Sequence, residues 1–357
     1  MTIAPESASS SPDGNTAKTL GFDPQIHRKL LAGIESGLLR DLHIVLAARS
    51  EEVFLEHYTE GVDQEWGRPL GHVAFEAGTL HDLRSVTKSI VSLLYGIALD
   101  KGLVPPPDAS LFDQFPDYAD LAADAARSKI TIGHALTMTL GMEWDENRPY
   151  SDPLNSEIAM ENAPDRYRFI LERPIVAEPG TRWIYSGGSV ALVAAIIERG
   201  GGKSLPDFAH DVLFAPLGID RFHWSAGRDG IASAASGLRL TAADLLKIGM
   251  LLLRKGSWKG QTIVSADWVQ ASFTPAISTP DGLGYGRLWF VGDAPAPAFD
   301  APRSWHAGFG NGGQRLWLMP EADIAAVIYA GKYNAWDAWV TPTRVWREII
   351  LANFQRL

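Results

Sequence analysis

The residues best placed to do chemistry lie in His81-Asp-Leu-Arg-Ser85-Val-Thr-Lys88-Ser89, where a polar turn runs into a strongly apolar stretch. If Ser85 opens a helix, Lys88 falls one turn later on the same face. A serine hydroxyl is too weak an acid to attack at neutral pH and needs a neighbouring base. The positive end of the helix favours a developing alkoxide and disfavours a charged lysine beside it. Burial pushes the amine the same way. The spacing therefore predicts a Lys88 below its ordinary value and a kcat/KM that rises with pH well below ~10.4.

Alone, this spacing says little. With 24 Ser and 10 Lys in the chain, about 0.7 such pairs arise by chance, most of them a helix cap beside a solvated lysine. Two further segments change the odds. Glu178-Pro-Gly-Thr-Arg-Trp-Ile-Tyr185-Ser-Gly187-Gly188 presents a tyrosine on a Pro/Gly turn just ahead of an apolar helix. Ser304-Trp-His306-Ala-Gly308-Phe309-Gly310 joins an expected strand to a Gly-rich turn, where a backbone can approach a ligand closely.

The elements that must hold these groups follow from hydropathy. An amphipathic helix is expected over 24–39, then two alternating strands, Leu42–Ala48 and Glu52–Tyr58, forming an antiparallel pair with one wet face. A short extended piece, His72–Glu76, precedes a helix over 86–101 that Pro105–Pro107 close off. The middle reads as helical. Thr131 starts a helix through Gly141, Asp165 one through Arg173, and Ser204 and Thr241 cap two more. Ser189–Arg199 is apolar nearly all round and so buried. Strand character returns at Gly284–Val291, Arg315–Met319 and Ile324–Tyr329, and 340–354 closes as a helix. Strands at both chain ends with a helical middle predict an α/β (α+β) architecture, an antiparallel sheet flanked by helices plus a mostly helical subdomain. The expected division is a disordered tail over 1–20 and one domain over 21–357, with the sheet part from 21–84 and 281–357 and the helical part from 85–280.

Composition narrows the function. The 357 residues are 46% hydrophobic and carry a formal charge of −10, with no long basic block. Nucleic acid and anionic membranes are therefore poor partners. Cysteine is absent, which removes disulfides, thiolate metal sites and cysteine nucleophiles together. No stretch approaches the ~20 apolar residues of a membrane span, and the start lacks a signal-peptide core, so a cytoplasmic protein is expected. Gly308-Phe-Gly310-Asn-Gly-Gly313 matches a dinucleotide pattern but leads into a strand instead of a helix. Gly200-Gly-Gly-Lys203-Ser204 reads as a helix end followed by a new cap. There is no intact GxSxG, no HExxH, and nine scattered histidines, so no metal or cofactor is expected. Glu143-Trp-Asp145-Glu146 reads as a solvated acidic loop.

Together the three segments resemble the serine β-lactamase and penicillin-binding-protein superfamily, in its class C-like branch. Ser85-Val-Thr-Lys88 resembles its SxxK motif and Tyr185-Ser-Gly187 its Tyr-x-Asn. His306-Ala-Gly308 resembles its Lys-Thr-Gly or His-x-Gly strand; counting back from Met319 without gaps puts Trp305 at the first position instead. Thr131–Gly141, Phe214-Ala-Pro-Leu-Gly218 and Gly237–Asp244 resemble later landmarks. Asn311-Gly-Gly-Gln314 and Asp152-Pro-Leu-Asn155 resemble the branch of 6-aminohexanoate-dimer hydrolases and family VIII esterases.

The resemblance implies a β-lactamase-like fold and a serine hydrolase for a small-molecule ester or amide. Ser85 would form an acyl-enzyme, and Lys88 and Tyr185 would share the proton transfers, with the base left open between them. The backbone N–H groups of Ser85 and Phe309 would hold the oxyanion. His306, Gly308, Gly187, Tyr150 and Asp152 are the candidate substrate-binding residues. Gly187 stands where β-lactamases carry an Asn, which argues against efficient β-lactam hydrolysis. A β-lactamase or D-peptidase and a non-catalytic binding protein remain as alternatives, and a homo-oligomer stays open.

Overall fold

The computed structural model describes residues 14–355. The strand Leu42–Arg49, next to one edge of the main sheet, carries a near-continuous apolar run that reflects burial on both faces. On one side it pairs antiparallel with Glu52–Tyr58 through a tight turn at Ser50 and Glu51, both at positive φ. On the other it pairs with Ile324–Ala330. The one wet face expected of the first pair is thus absent from Leu42–Arg49, because helices cover both sides. The antiparallel sheet has eight strands, in the order Ile277–Ser278, Gly284–Tyr285, Phe290–Ala294, Arg303–Gly310, Gln314–Met319, Ile324–Ala330, Leu42–Arg49 and Glu52–Tyr58.

Alternation along these strands splits the core in two. Val45, Ala47, Trp317 and Ile328 face the helix Ile26–Glu35 and the closing helical run through Trp346 and Ile350. Ile44, Leu46, Leu316 and Leu318 face the helices Val86–Asp100 and Ala242–Leu253. Gly249 lets the second of these lie close: a Cβ there would stand 3.1 Å from Leu316. The helix Gly187–Gly201, buried from Gly187 to Ile197, packs against Val86–Asp100 and anchors the helical lobe.

Several expectations shift. Of the tail expected over 1–20, Gly14–Thr19 is helical with Ala17 buried, and the first thirteen residues lie outside the described part. Thr131 caps a helix with His134 closing a reciprocal box, but the helix stops at Leu136, because Met138 and Gly141 turn the chain at positive φ. The piece at His72–Glu76 belongs to a hairpin of Glu60–Glu65 with Arg68–Ala74, too polar to announce its first strand. Gly284–Val291 is two strands, and Ile277–Ser278 already pairs in the sheet ahead of the expected boundary at 281. Asp165, Ser204 and Thr241 cap their helices as expected.

Candidate active site

The strand His81–Asp82 pairs with Leu238–Leu240 and delivers the chain to Arg84, held at φ 48°. Ser85 follows as the residue before the helix Val86–Asp100, whose first N–H groups bond back to the Leu83, Arg84 and Ser85 carbonyls. Ser85 is 8% exposed and Lys88 1%. The Lys88 Nζ donates to Ser85 Oγ at 2.9 Å and to the Ala235 carbonyl at 3.0 Å. Tyr185 packs its ring 4.8 Å from the same nitrogen, and its phenol lies within hydrogen-bonding reach of both Lys88 and Ser85. The structure therefore brings Ser85, Lys88 and Tyr185 into one cluster.

The charge state of that cluster differs from expectation. Burial does pull Lys88 down, but Tyr185, Glu157 and Glu146 outweigh it and hold the ammonium above its ordinary value. Burial pushes the Tyr185 phenol up, against the pull of Lys88. The lowered amine expected from helix dipole and burial is overturned by Tyr185 together with two carboxylates that arrive from outside the motif. Glu157 Oε2 lies 3.7 Å from Lys88 Nζ. Glu146, read from sequence as a solvated loop residue, turns its carboxyl inward and accepts from Trp144 Nε1 at 2.6 Å and the Gly187 N–H at 2.5 Å. Glu143 in the same loop is exposed, and Asp145 pairs with Arg148.

The other candidates divide. Gly187 opens its helix against the two carboxyls. Tyr150 donates to Glu146 Oε2 at 3.0 Å and helps line a cleft of about 420 Å³. That cleft is also walled by Trp66, Arg84, Glu157, Ser236 and Asn334. Asp152 does not join the site: it pairs with Arg148 at 3.2 Å and accepts the Leu154 N–H at 2.8 Å, which fixes the loop. Gly308 lies over the first turns of the helix Val86–Asp100; a Cβ there would stand 3.0 Å from Ser89 Oγ and 3.1 Å from Val86. His306 stacks on Phe273 with ring centroids 4.0 Å apart, and burial lowers it to about 4, so it is a neutral packing ring. Phe309 packs its ring on Phe290, which leaves only its backbone to serve the site. The hairpin Arg303–Gly310 to Gln314–Met319 confirms that the Gly-rich segment opens a strand.

One donor set escaped the sequence reading. His43, Asp63 and His81 converge, with one atom from each within 4.8 Å of the others. Separations of about twenty residues carry no ligand-spacing signal, and the three meet only through the sheet. His43 Nδ1 and His81 Nε2 are 2.9 Å apart, and Asp63 Oδ1 stands 3.6 Å from His81 Nε2.

Comparison with known proteins bears on this geometry. The sequence profile of the Beta-lactamase family matches residues 45–342. The chain is 25% identical over 317 residues to the 6-aminohexanoate-dimer hydrolase of Paenarthrobacter ureafaciens, covering 82% of this chain and 72% of that protein. It is 25% identical over 205 residues to Esterase EstB of Burkholderia gladioli, covering 56% and 48% respectively. Among solved structures, EstCE1, a hydrolase with promiscuous acyltransferase activity, superposes with a TM-score of 0.71 at 17% identity, covering 95% of this chain and 99% of that one. A penicillin binding protein from Bacillus halodurans gives 0.65 at 16% identity, covering 88% and 98%. At such identities the superpositions speak for the fold alone.

Proposed function

Because the chain belongs to the Beta-lactamase family and is one of its serine hydrolases, we propose that it cleaves a small uncharged ester or amide through an acyl-enzyme on Ser85. The observation that carries this reading is the Lys88 nitrogen 2.9 Å from Ser85 Oγ, with the Tyr185 phenol against both. In the form of the enzyme in which the Lys88–Tyr185 pair has lost one proton to solvent, Ser85 Oγ attacks the carbonyl carbon while its own proton passes into that vacancy in the pair. The same pair returns that proton to the departing alcohol or amine. Water then adds to the acyl carbon and frees Ser85. Backbone N–H groups of Ser85 and Phe309 are the proposed oxyanion donors, each typically worth ~3 kcal/mol in the transition state.

Charge supports an uncharged acyl group. At the third motif, His306 is neutral and engaged with Phe273, so it offers no cation for a substrate carboxylate. Gly187 offers no side-chain amide, and beside it stand two carboxyls that repel anions. These features disfavour β-lactams and D-alanyl peptides, which bear carboxylates. The names of the two relatives, a 6-aminohexanoate-dimer hydrolase and an esterase, agree with hydrolysis of an ester or amide.

The test compares p-nitrophenyl acetate, a linear amide analogue and nitrocefin with wild type and Ser85→Ala. Ester turnover is expected to fall at least ~10³-fold in the variant, and nitrocefin to be the slowest substrate. Equal rates for wild type and Ser85→Ala, or a fluorophosphonate adduct mapped off the Ser85 peptide, would overturn the proposal.

A further inference from the structure

Glu146 and Glu157 have no task in the mechanism above, yet both are driven into its centre. Glu157, on the short helix Ser156–Glu161, is 2% exposed. Its Oε1 accepts the Ser236 hydroxyl at 2.6 Å, while its Oε2 has no hydrogen-bond partner and faces Lys88 Nζ. Glu146 is held by Trp144, Tyr150 and the Gly187 N–H. The two carboxyls meet at Gly187. A Cβ on that residue would stand 2.8 Å from Glu157 Oε2 and 3.1 Å from Glu146 Oε1. The pair occupies the space that a side chain at this position would otherwise fill.

We propose that the Glu146–Glu157 pair is a positioning device for Lys88, holding its ammonium on Ser85 and setting the pH at which that ammonium can release a proton. The inference rests on the acyl-enzyme reading. Two carboxyls pressed against one residue do not both ionise cheaply. Burial, then the Glu157 charge, raises Glu146 to about 7. As pH climbs through neutrality the pair gains a second negative charge, and Lys88 is gripped harder.

The other groups facing the cluster leave this balance in place. Tyr185 lies against Lys88 and Tyr150 against Glu146, and burial raises both phenols. The Tyr285 phenol, raised by burial and by Tyr185 and Glu146, stays neutral. Arg315 approaches from the strand Gln314–Met319 on the Tyr185 side, and burial lowers it to about 9. Behind Glu157, Glu161 is tied to Arg166 at 2.9 Å. Glu157 therefore remains the carboxyl nearest Lys88 Nζ, at 3.7 Å.

Removing a carboxylate from beside an ammonium lowers the ammonium's pKa, so the deprotonated amine appears at lower pH. The experiment measures kcat/KM, corrected for spontaneous hydrolysis, against pH from 6 to 11 on a neutral p-nitrophenyl ester for wild type, Glu157→Gln, Glu157→Asp, Glu146→Gln and Ser85→Ala. Glu157→Gln should move the rising limb down by at least one pH unit. Glu146→Gln should move it less, and only above pH ~7, and Glu157→Asp should return it toward wild type. The pH dependence of fluorophosphonate labelling, read by mass spectrometry on the folded fraction, must shift in parallel and protects against misfolded variants. Lower amplitude with an unmoved midpoint in both Gln variants would make the pair merely structural and overturn the inference. Undiminished turnover by Ser85→Ala would instead sink the acyl-enzyme reading, whatever the midpoints do.

Discussion

Around Lys88 the protein keeps a buried charge; around His81, seven residues earlier, it discards one. Both regions are almost sealed from solvent, with His43 and His81 at 1% and 0% exposure and Lys88 at 1%. Lys88 finds a carboxylate at 3.7 Å and stays charged. In the second region His81 Nδ1 donates to the Asp82 carbonyl at 3.1 Å, which leaves Nε2 to accept from His43 Nδ1 at 2.9 Å. The rings stack on Tyr329 and Phe75, and Asp63 accepts the Tyr333 hydroxyl at 2.8 Å. Burial lowers both imidazoles to about 3. The difference teaches that burial alone does not decide ionisation. A cation survives where a counter-charge is aimed at it, and an imidazole gives up its proton where hydrogen bonds suffice without it.

The largest expected effect comes from breaking the ionic region outright. Lys88→Met strands Glu157 without its cation, and losing one partner of a buried pair costs about 3–5 kcal/mol. Activity should fall at least ~10³-fold at the same time. Adding Glu157→Gln to Lys88→Met should restore most of the stability and none of the activity. Urea midpoints and ester turnover of the three proteins check this. A single variant as stable as wild type would mean that the cluster holds no net ion pair.

Next comes a pH signature of opposite sign in the two regions. For His43 and His81 the folded values lie below the unfolded ~6.5, so the unfolded chain binds more protons between about pH 3 and 6.5. Their contribution is complete above ~6.5 and shrinks as pH falls, by about 2 kcal/mol per imidazole at pH 5. Glu146 runs the other way. Its folded value of about 7 lies above the unfolded carboxyl range, so its contribution is present at low pH and disappears as pH rises through 7. Between pH 7 and 5, then, Glu146→Gln should steepen the acid loss of Tm, and His43→Phe should flatten it. Slopes that change in the same direction for both variants would erase the contrast between the regions.

How much of this could be read beforehand follows the same division. Ser85, Lys88 and Tyr185 were legible because local spacing and turn chemistry fix them: one helical turn separates the first two, and a Pro/Gly turn presents the third. Most strands and the caps at Asp165, Ser204 and Thr241 were legible for similar local reasons. Glu157 was invisible, because a glutamate in the first turn of a short helix reads as a surface residue. Glu146 was discounted because acidic loops are usually solvated, and only the packing of Trp144 and Gly187 turns it inward. The departure at Gly187 was the one available signal. A missing side chain at Gly187 reads as a lost contact, whereas its space is taken by Glu146 and Glu157. His306 erred in the opposite direction: its position in the strand motif suggested a ligand contact, and the Phe273 ring beneath it makes it packing. Likewise, the hairpin over Glu60–Glu65 carries Asp63 to the histidines with no apolar alternation to reveal it.

Gly187→Ala is the gentlest way to sharpen the contrast. The new methyl would press on Glu157 Oε2 at 2.8 Å and on Ala235 Cβ and Glu146 Oε1 at 3.1 Å each. Its nearest neighbour is the end of a side chain, which yields by a few tenths of an ångström without unfolding its surroundings. Alanine also gains up to ~1 kcal/mol of helix propensity over glycine, so stability should change by less than ~1 kcal/mol. Lys88 has no such slack, because the Ala235 carbonyl and Ser85 Oγ already fix its nitrogen. A displaced carboxylate therefore shows in catalysis: kcat/KM should fall several-fold, with the alkaline-rising limb displaced by a fraction of a pH unit. The methyl's nearest contacts are Glu157, Ala235 and Glu146, none of them in the histidine cluster, so the share of the acid loss of Tm carried by His43 and His81 should stay that of wild type. A large loss of Tm with an unmoved limb would show that Gly187 serves only helix packing and that the two carboxyls do not depend on the room it leaves.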